Sequence, residues 1–149
     1  MKFPFAAKFM RNLSYLIPQR KPKTTIVYRV EHPIDSLGPY TSMYAIEEFS
    51  KHHNDREFHP TPIYDEGLSK YSDNVHDLMR YLGYEYSCFS SLDQLKEWFD
   101  TDDRKLLAED GFNIIIFEVP IDDVIFGSKQ GLMDKARAHA IDYILPENV

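Results

Sequence analysis

The run FNIIIFEVP, residues 112–120, constrains this chain more than any other stretch. Its unbroken apolar series Ile114-Ile115-Ile116-Phe117 leaves no polar face, so it predicts a β-strand buried on both sides. Three other stretches carry weaker strand signals: residues 24–31 (TTIVYRVE), the alternating 84–89 (YEYSCF), and IDDVIFG, which ends at Gly127.

Helical signals fall between these strands. Residues 42–50 place Met43, Ile46 and Phe49 on one side, with Ser42 as the expected N-cap. Residues 73–82 predict a short helix capped by Asp73 and closed by Gly83. Ser91 followed by Gln94 resembles a capping box, after which Leu92, Leu95 and Phe99 line one face. Thr101 is the expected cap of a second helix stopped by Gly111. Residues 132–145 (LMDKARAHAIDYIL), apolar at Met133, Ala136, Ala140 and Ile144, predict a final helix. Between the first two helices, residues 51–69 form a polar, Pro-bearing loop long enough to be functional or mobile. Strands and helices are interspersed without a regular βαβ repeat. The expected class is therefore α+β, a small central mixed or antiparallel sheet with flanking helices. At 149 residues one domain is expected, long enough to bury roughly 70% of the surface its unfolded chain exposes.

Charge divides the chain at residue 23. Lys2, Lys8, Arg11, Arg20, Lys21 and Lys23 stand before it with no acid, while the remainder carries eleven basic and 24 acidic residues, a net of −13. In the basic part Phe5, Phe9, Leu13 and Leu16 recur at helical spacing, with Lys8, Arg11 and Tyr15 on another side. This predicts an amphipathic N-terminal helix and linker, 1–23, ahead of a domain at 24–149. Phe5, Lys8, Phe9, Arg11 and Leu13 are its expected partner-binding residues, and only residues 1–17 offer a membrane-surface contact. The acidic body should repel nucleic acid and suits a basic protein partner. Ten Tyr residues add amphipathic contact surface. The single Cys88 excludes an intrachain disulfide and fits a reducing cytoplasm.

Four constellations can carry chemistry. On the first strand Arg29 and Glu31 share a face and His32 takes the other. A guanidinium held by an acid offers a planar fork to phosphate or carboxylate; the alternative is an ion pair on a solvated face. Next to this strand, Gly38-Pro39-Tyr40 is a stiff turn bearing an aromatic. The polar loop holds His52, His53, Asp55, Glu57, His59 and Asp65, without helical metal-ligand spacing, so no metal is expected. There the prolines around His59 stiffen the chain and set Tyr64 and Asp65 against a neighbour. Ser87, Cys88, Ser90 and Ser91 stand at a strand-to-helix junction, where amides bind anions and a thiol pKa can fall. Lys129 and Gln130, in the loop SKQG, can bind a phosphate or an amide.

The combination YRVEHP with GPY, then SSLDQLKEWF, then GFNIIIFEVP resembles small uncharacterised proteins encoded by bacterial viruses. The match spans roughly residues 26–132 and implies an accessory protein acting on a host factor in the bacterial cytoplasm. A second resemblance is to the ADP-ribosyltransferase-like fold. It implies that Arg29 would contact NAD and that Ser87 or Ser90 would supply the second element. The late catalytic glutamate of those enzymes is missing here, where Lys129-Gln130-Gly131 stands. Recognition of a host protein or a nucleotide-type ligand is therefore expected ahead of transferase chemistry, with NAD the cofactor should that chemistry operate. A virion or membrane-peripheral component is the third expectation.

Overall fold

The computed structural model describes residues 22–71, Met79 and residues 85–149. Within them the fold is α+β, built on two three-stranded antiparallel sheets. Strand β3 (Asn113–Pro120) is the centre of the first sheet, between β1 (Thr24–Glu31) and β6 (His139–Ile144). The apolar run explains this: Ile114, Phe117 and Val119 are buried, Ile115 and Ile116 half-buried, and both edges are paired. Register is continuous from Thr24↔Pro120 to Glu31↔Asn113, which opposes Arg29 to Ile115. The second sheet runs β2 (Tyr86–Cys88), β5 (Gly131–Met133), β4 (Val124–Phe126). A bridge joins the sheets: Tyr28 and Phe89 exchange backbone hydrogen bonds of 2.9 and 2.8 Å.

Four α-helices stand among the described residues: α1 (Glu47–His52), α2 (Glu66–Ser69), α3 (Leu92–Trp98) and α4 (Thr101–Glu109). The largest core cluster lies between sheet and helices, where Val30 and Ile114 meet Phe49, Leu95, Phe99, Leu107 and Phe112. A second cluster fills the space between the sheets around Val27, Phe117, Val119 and Met133. Burying each such side chain stabilises the fold by about 1.5–3 kcal/mol before ordering costs.

Several expectations need correction. Residues 132–145 form β5 and β6, not a helix. The spacing of Met133, Ala136, Ala140 and Ile144 does match a helix, yet Leu132 and Met133 are claimed by pairing with β2 and β4, and residues 139–144 by β3. Tertiary pairing overrides a weak local preference here. The helix expected from residue 42 begins at Glu47, because the Ser42 hydroxyl donates to Asp35 Oδ2 (2.8 Å) and accepts from the Tyr44 amide, closing a turn instead. Asp100, not Thr101, caps α4, in a reciprocal capping box with Asp103. Ser91 caps α3 as expected, but Gln94 Oε1 turns to the Ser90 amide (2.9 Å). The expected helix at 73–82 lies outside the described residues save Met79. So does the expected N-terminal helix, with Phe5, Lys8, Phe9, Arg11 and Leu13.

Candidate functional site

Alternation along β1 carries Arg29 and Glu31 to the face turned toward β2, where each is only 6% exposed. The pair is therefore dry, not a solvated surface pair. Arg29 Nε donates to Glu31 Oε1 (2.8 Å) and Nη1 to the Ser87 carbonyl (2.7 Å). Lys135 Nζ donates to the same Glu31 oxygen (2.6 Å), and both cations sit near the Tyr86 ring at 5.2 and 5.0 Å. One carboxylate thus holds two cations, which leaves the cluster with excess positive charge. Among the described residues Nη2 of Arg29 donates to no protein group.

That guanidinium lies in the lining of a cavity of about 380 Å³. Of the residues singled out in the sequence, Arg29, Tyr40, His59, Ser87 and Gln130 all line it. They come from β1, the stiff turn, the polar loop, β2 and the loop before β5. Trp98, Phe89, Phe99 and Leu132 supply apolar wall, and Glu85 contributes a carboxylate. Gln130 is 4% exposed and donates through Nε2 to the Pro60 carbonyl (2.7 Å).

One wall is a hydrogen-bonded chain. Trp98 Nε1 donates to the Tyr40 hydroxyl (2.7 Å), which lies 2.6 Å from His53 Nδ1; His53 Nε2 lies 2.8 Å from Asp103 Oδ2. Burial pulls the His53 pKa down, and the Asp103 contact only partly opposes it. A neutral ring donating from Nε2 to Asp103 then accepts a hydrogen bond from the Tyr40 hydroxyl at Nδ1. Burial pushes the Tyr40 phenol well above its ordinary range. His53 is stacked between Phe49 and His59, with centroids 4.6 and 4.0 Å away. His59 directs Nδ1 to Asp55 (2.8 Å) and Nε2 to the Trp98 carbonyl (2.7 Å). The His59 bond, followed by the Phe58 amide, holds Asp55 down at about 2.

The remaining sequence candidates lie elsewhere. Asp65, 1% exposed, accepts the backbone amides of Ser128 (2.7 Å), Lys129 (2.8 Å) and Gln130 (3.2 Å), besides those of Gly67 and Leu68. The SKQG loop does bind an anion, but the anion is the chain's own carboxylate. Lys129 instead stands 5.9 Å from the Phe58 ring centroid. His32 is structural: it stacks on Tyr44 (4.0 Å), its Nε2 faces the Asp110 carbonyl and its Nδ1 accepts the Ile34 amide. Ser90 bonds to Gln94 and does not line the cavity. Cys88 is fully buried, and burial pushes its thiol up to about 12, opposite to an activated nucleophile.

Sequence reasoning did not find Trp98, Asp103 or the role of His53. A usable signal existed, since a buried Trp or Tyr needs a partner for its N–H or O–H. Among the described residues no group of three or more His, Cys, Asp or Glu is placed to hold a metal. None of their helices is long and apolar enough to cross a membrane.

Comparison with known proteins places this geometry in context. The family model described as Bacteriophage T4 Y00F protein matches residues 17–147. An uncharacterised 19.7 kDa protein of the motB-dexA intergenic region of Enterobacteria phage T4 is 30% identical over 115 residues, 68% of this chain and 69% of the relative. No solved structure matches the chain.

Proposed function

The chain belongs to the Bacteriophage T4 Y00F protein family, and from that premise we propose that it is a phage accessory protein whose cavity recognises a small, planar, anionic ligand of nucleotide type in the cytoplasm of the bacterial host. The observation that carries this reading is the convergence of Arg29, Tyr40, His59, Ser87 and Gln130 on one aromatic-walled cavity. A mostly apolar pocket with a few convergent polar groups is the usual form of a small-ligand site. The spare guanidinium nitrogen supplies the anion contact, and Trp98, Tyr40 and Phe89 supply flat surfaces for a ring. Recognition is favoured over catalysis because the reactive groups are restrained. The Cys88 thiol and Tyr40 phenol are pushed up, and both His59 nitrogens are engaged.

The test is calorimetric titration of the full chain with a panel of planar anions, including mononucleotides and NAD. Arg29→Lys keeps a cation for Glu31 but loses the forked second nitrogen, and should weaken a hit by about tenfold. An unchanged affinity would refute the assigned anion contact, and consumption of NAD would favour a transferase instead. A host protein is the second reading, favoured by Phe58, Ile63 and Tyr64, which stand 55%, 43% and 49% exposed beside the cavity-lining Pro60–Pro62 segment.

A further inference from the structure

We propose that β6 is an interface between two copies of the chain, which join there edge to edge as an antiparallel strand pair. The proposal goes beyond the small-ligand reading and rests on the strand itself.

β6 is the last strand of the first sheet, and among the described residues only β3 pairs with it. An unpaired edge offers a row of amide and carbonyl groups to any second strand. Folded chains ordinarily block such a row with lysine or proline, yet residues 139–144 hold neither. The blocking present here is slight: a bulge that leaves Ile141 without a partner on β3, and the Asp142 carboxylate. Five of the six strand residues are exposed. Ile141 and Tyr143 are 53% and 60% exposed, and the exposed Leu145 follows them. Large apolar side chains in a row on a free edge are what an interface supplies and a solvated strand does not need.

The backbone shows where a second strand fits. The Tyr143 amide donates to Asp142 Oδ1 (2.8 Å), so it is turned away from β3. In a strand the amide and carbonyl of one residue point to the same side. Tyr143 can therefore exchange both with Tyr143 of the partner subunit, about a two-fold axis. This register sets Ile141 opposite the partner subunit's Leu145 at both ends of the ladder, with the tyrosine pair between them. It also carries the exposed His139 toward Glu147 of the partner subunit, in the 3-10 turn that ends the strand. Asp142 then faces Ile144 of the partner subunit. An axis at Asp142 would instead oppose two carboxylates, and one at Ile144 would run into the turn at Pro146. Pairing has to displace the Asp142 carboxylate from the Tyr143 amide, so Asp142 weakens the dimer without preventing it. A ladder limited to residues 141–145 is a short interface, and its dissociation constant is expected in the micromolar range.

Sedimentation velocity on the full chain, from low micromolar to several hundred micromolar, should show a monomer–dimer equilibrium. Over that range, amide hydrogen exchange at Tyr143 should slow. Tyr143→Lys sets two cations on the axis, and with its melting temperature checked it should raise the dissociation constant at least tenfold. Ile141→Lys should act in the same direction from the ends of the ladder. Asp142→Ala frees the amide and should lower the constant several-fold. A wild-type chain that stays monomeric at every concentration would overturn the proposal. So would a dimer that both lysine variants leave intact, or one that leaves exchange at Tyr143 unchanged, because that dimer uses another surface.

Discussion

At the scale of single residues, His53 is where solution conditions reach the cavity wall. Burial holds its pKa below the ordinary 6.5. Between the lowered folded value and 6.5 the unfolded chain binds more protons than the folded one, so stability rises with pH through that window. The contribution of neutral His53 is complete above about 6.5 and is lost as pH falls below it. Asp55 follows the same sign further down: its contribution is present above 3.8 and is lost as pH falls toward about 2. Melting temperature should therefore drop by a few degrees between pH 7 and pH 5, and His53→Gln should flatten that drop. A drop of equal size in both proteins would remove His53 as its cause. Sequence made part of this visible. Arg29, Tyr40 and Gln130 stood out because a charged, phenolic or amide side chain beside a strand or stiff turn has to find a partner. The chain from Trp98 through Tyr40 and His53 to Asp103 did not, because its members lie 58, 13 and 50 residues apart. No spacing rule connects them.

At the scale of elements, the contact between α2 and the loop before β5 decides where Gln130 stands. Asp65 binds three consecutive amides of that loop while capping α2, and the helix approaches closely enough that a Cβ on Gly67 would come 2.7 Å from the Gly127 backbone. Asp65→Ala leaves the amides of Gln130 and Leu68 buried without their acceptor and those of Ser128, Lys129 and Gly67 open to water, and should cost roughly 3 kcal/mol. Chemical denaturation should show this as a lower midpoint at unchanged slope. A loss below about 1 kcal/mol would mean that water replaces the carboxylate. The elements themselves were unequally legible. The centre of the first sheet announces itself in Ile114–Phe117, and the α3 cap in Ser91, since burial on both faces and capping are both written locally. Residues 132–145 misled because their apolar spacing fits a helix, whereas their pairing is dictated by strands far away in sequence. The contact of Asp65 with residues 128–130 was invisible for the same reason.

At the scale of the whole molecule, the candidate site belongs to no single element, and its walls are drawn from residues 29 to 132. Contacts with such large sequence separations form late, since loop closure must precede them. Trp98, the only tryptophan, lies in the lining and reports directly on that assembly. In refolding experiments the far-UV signal of the locally capped α3 and α4 should recover before Trp98 fluorescence does. Simultaneous recovery would place the cavity in the first cooperative unit instead. The Asp65 contact gives this order a biological edge. Because the loop before β5 is held by a carboxylate from more than sixty residues upstream, a chain still emerging from the ribosome cannot complete the cavity wall until that loop has been made, however well its early strand and helices are formed. Chains cut short before residue 130 therefore lack the part of the wall that Gln130 and Leu132 supply, whatever the state of their earlier elements.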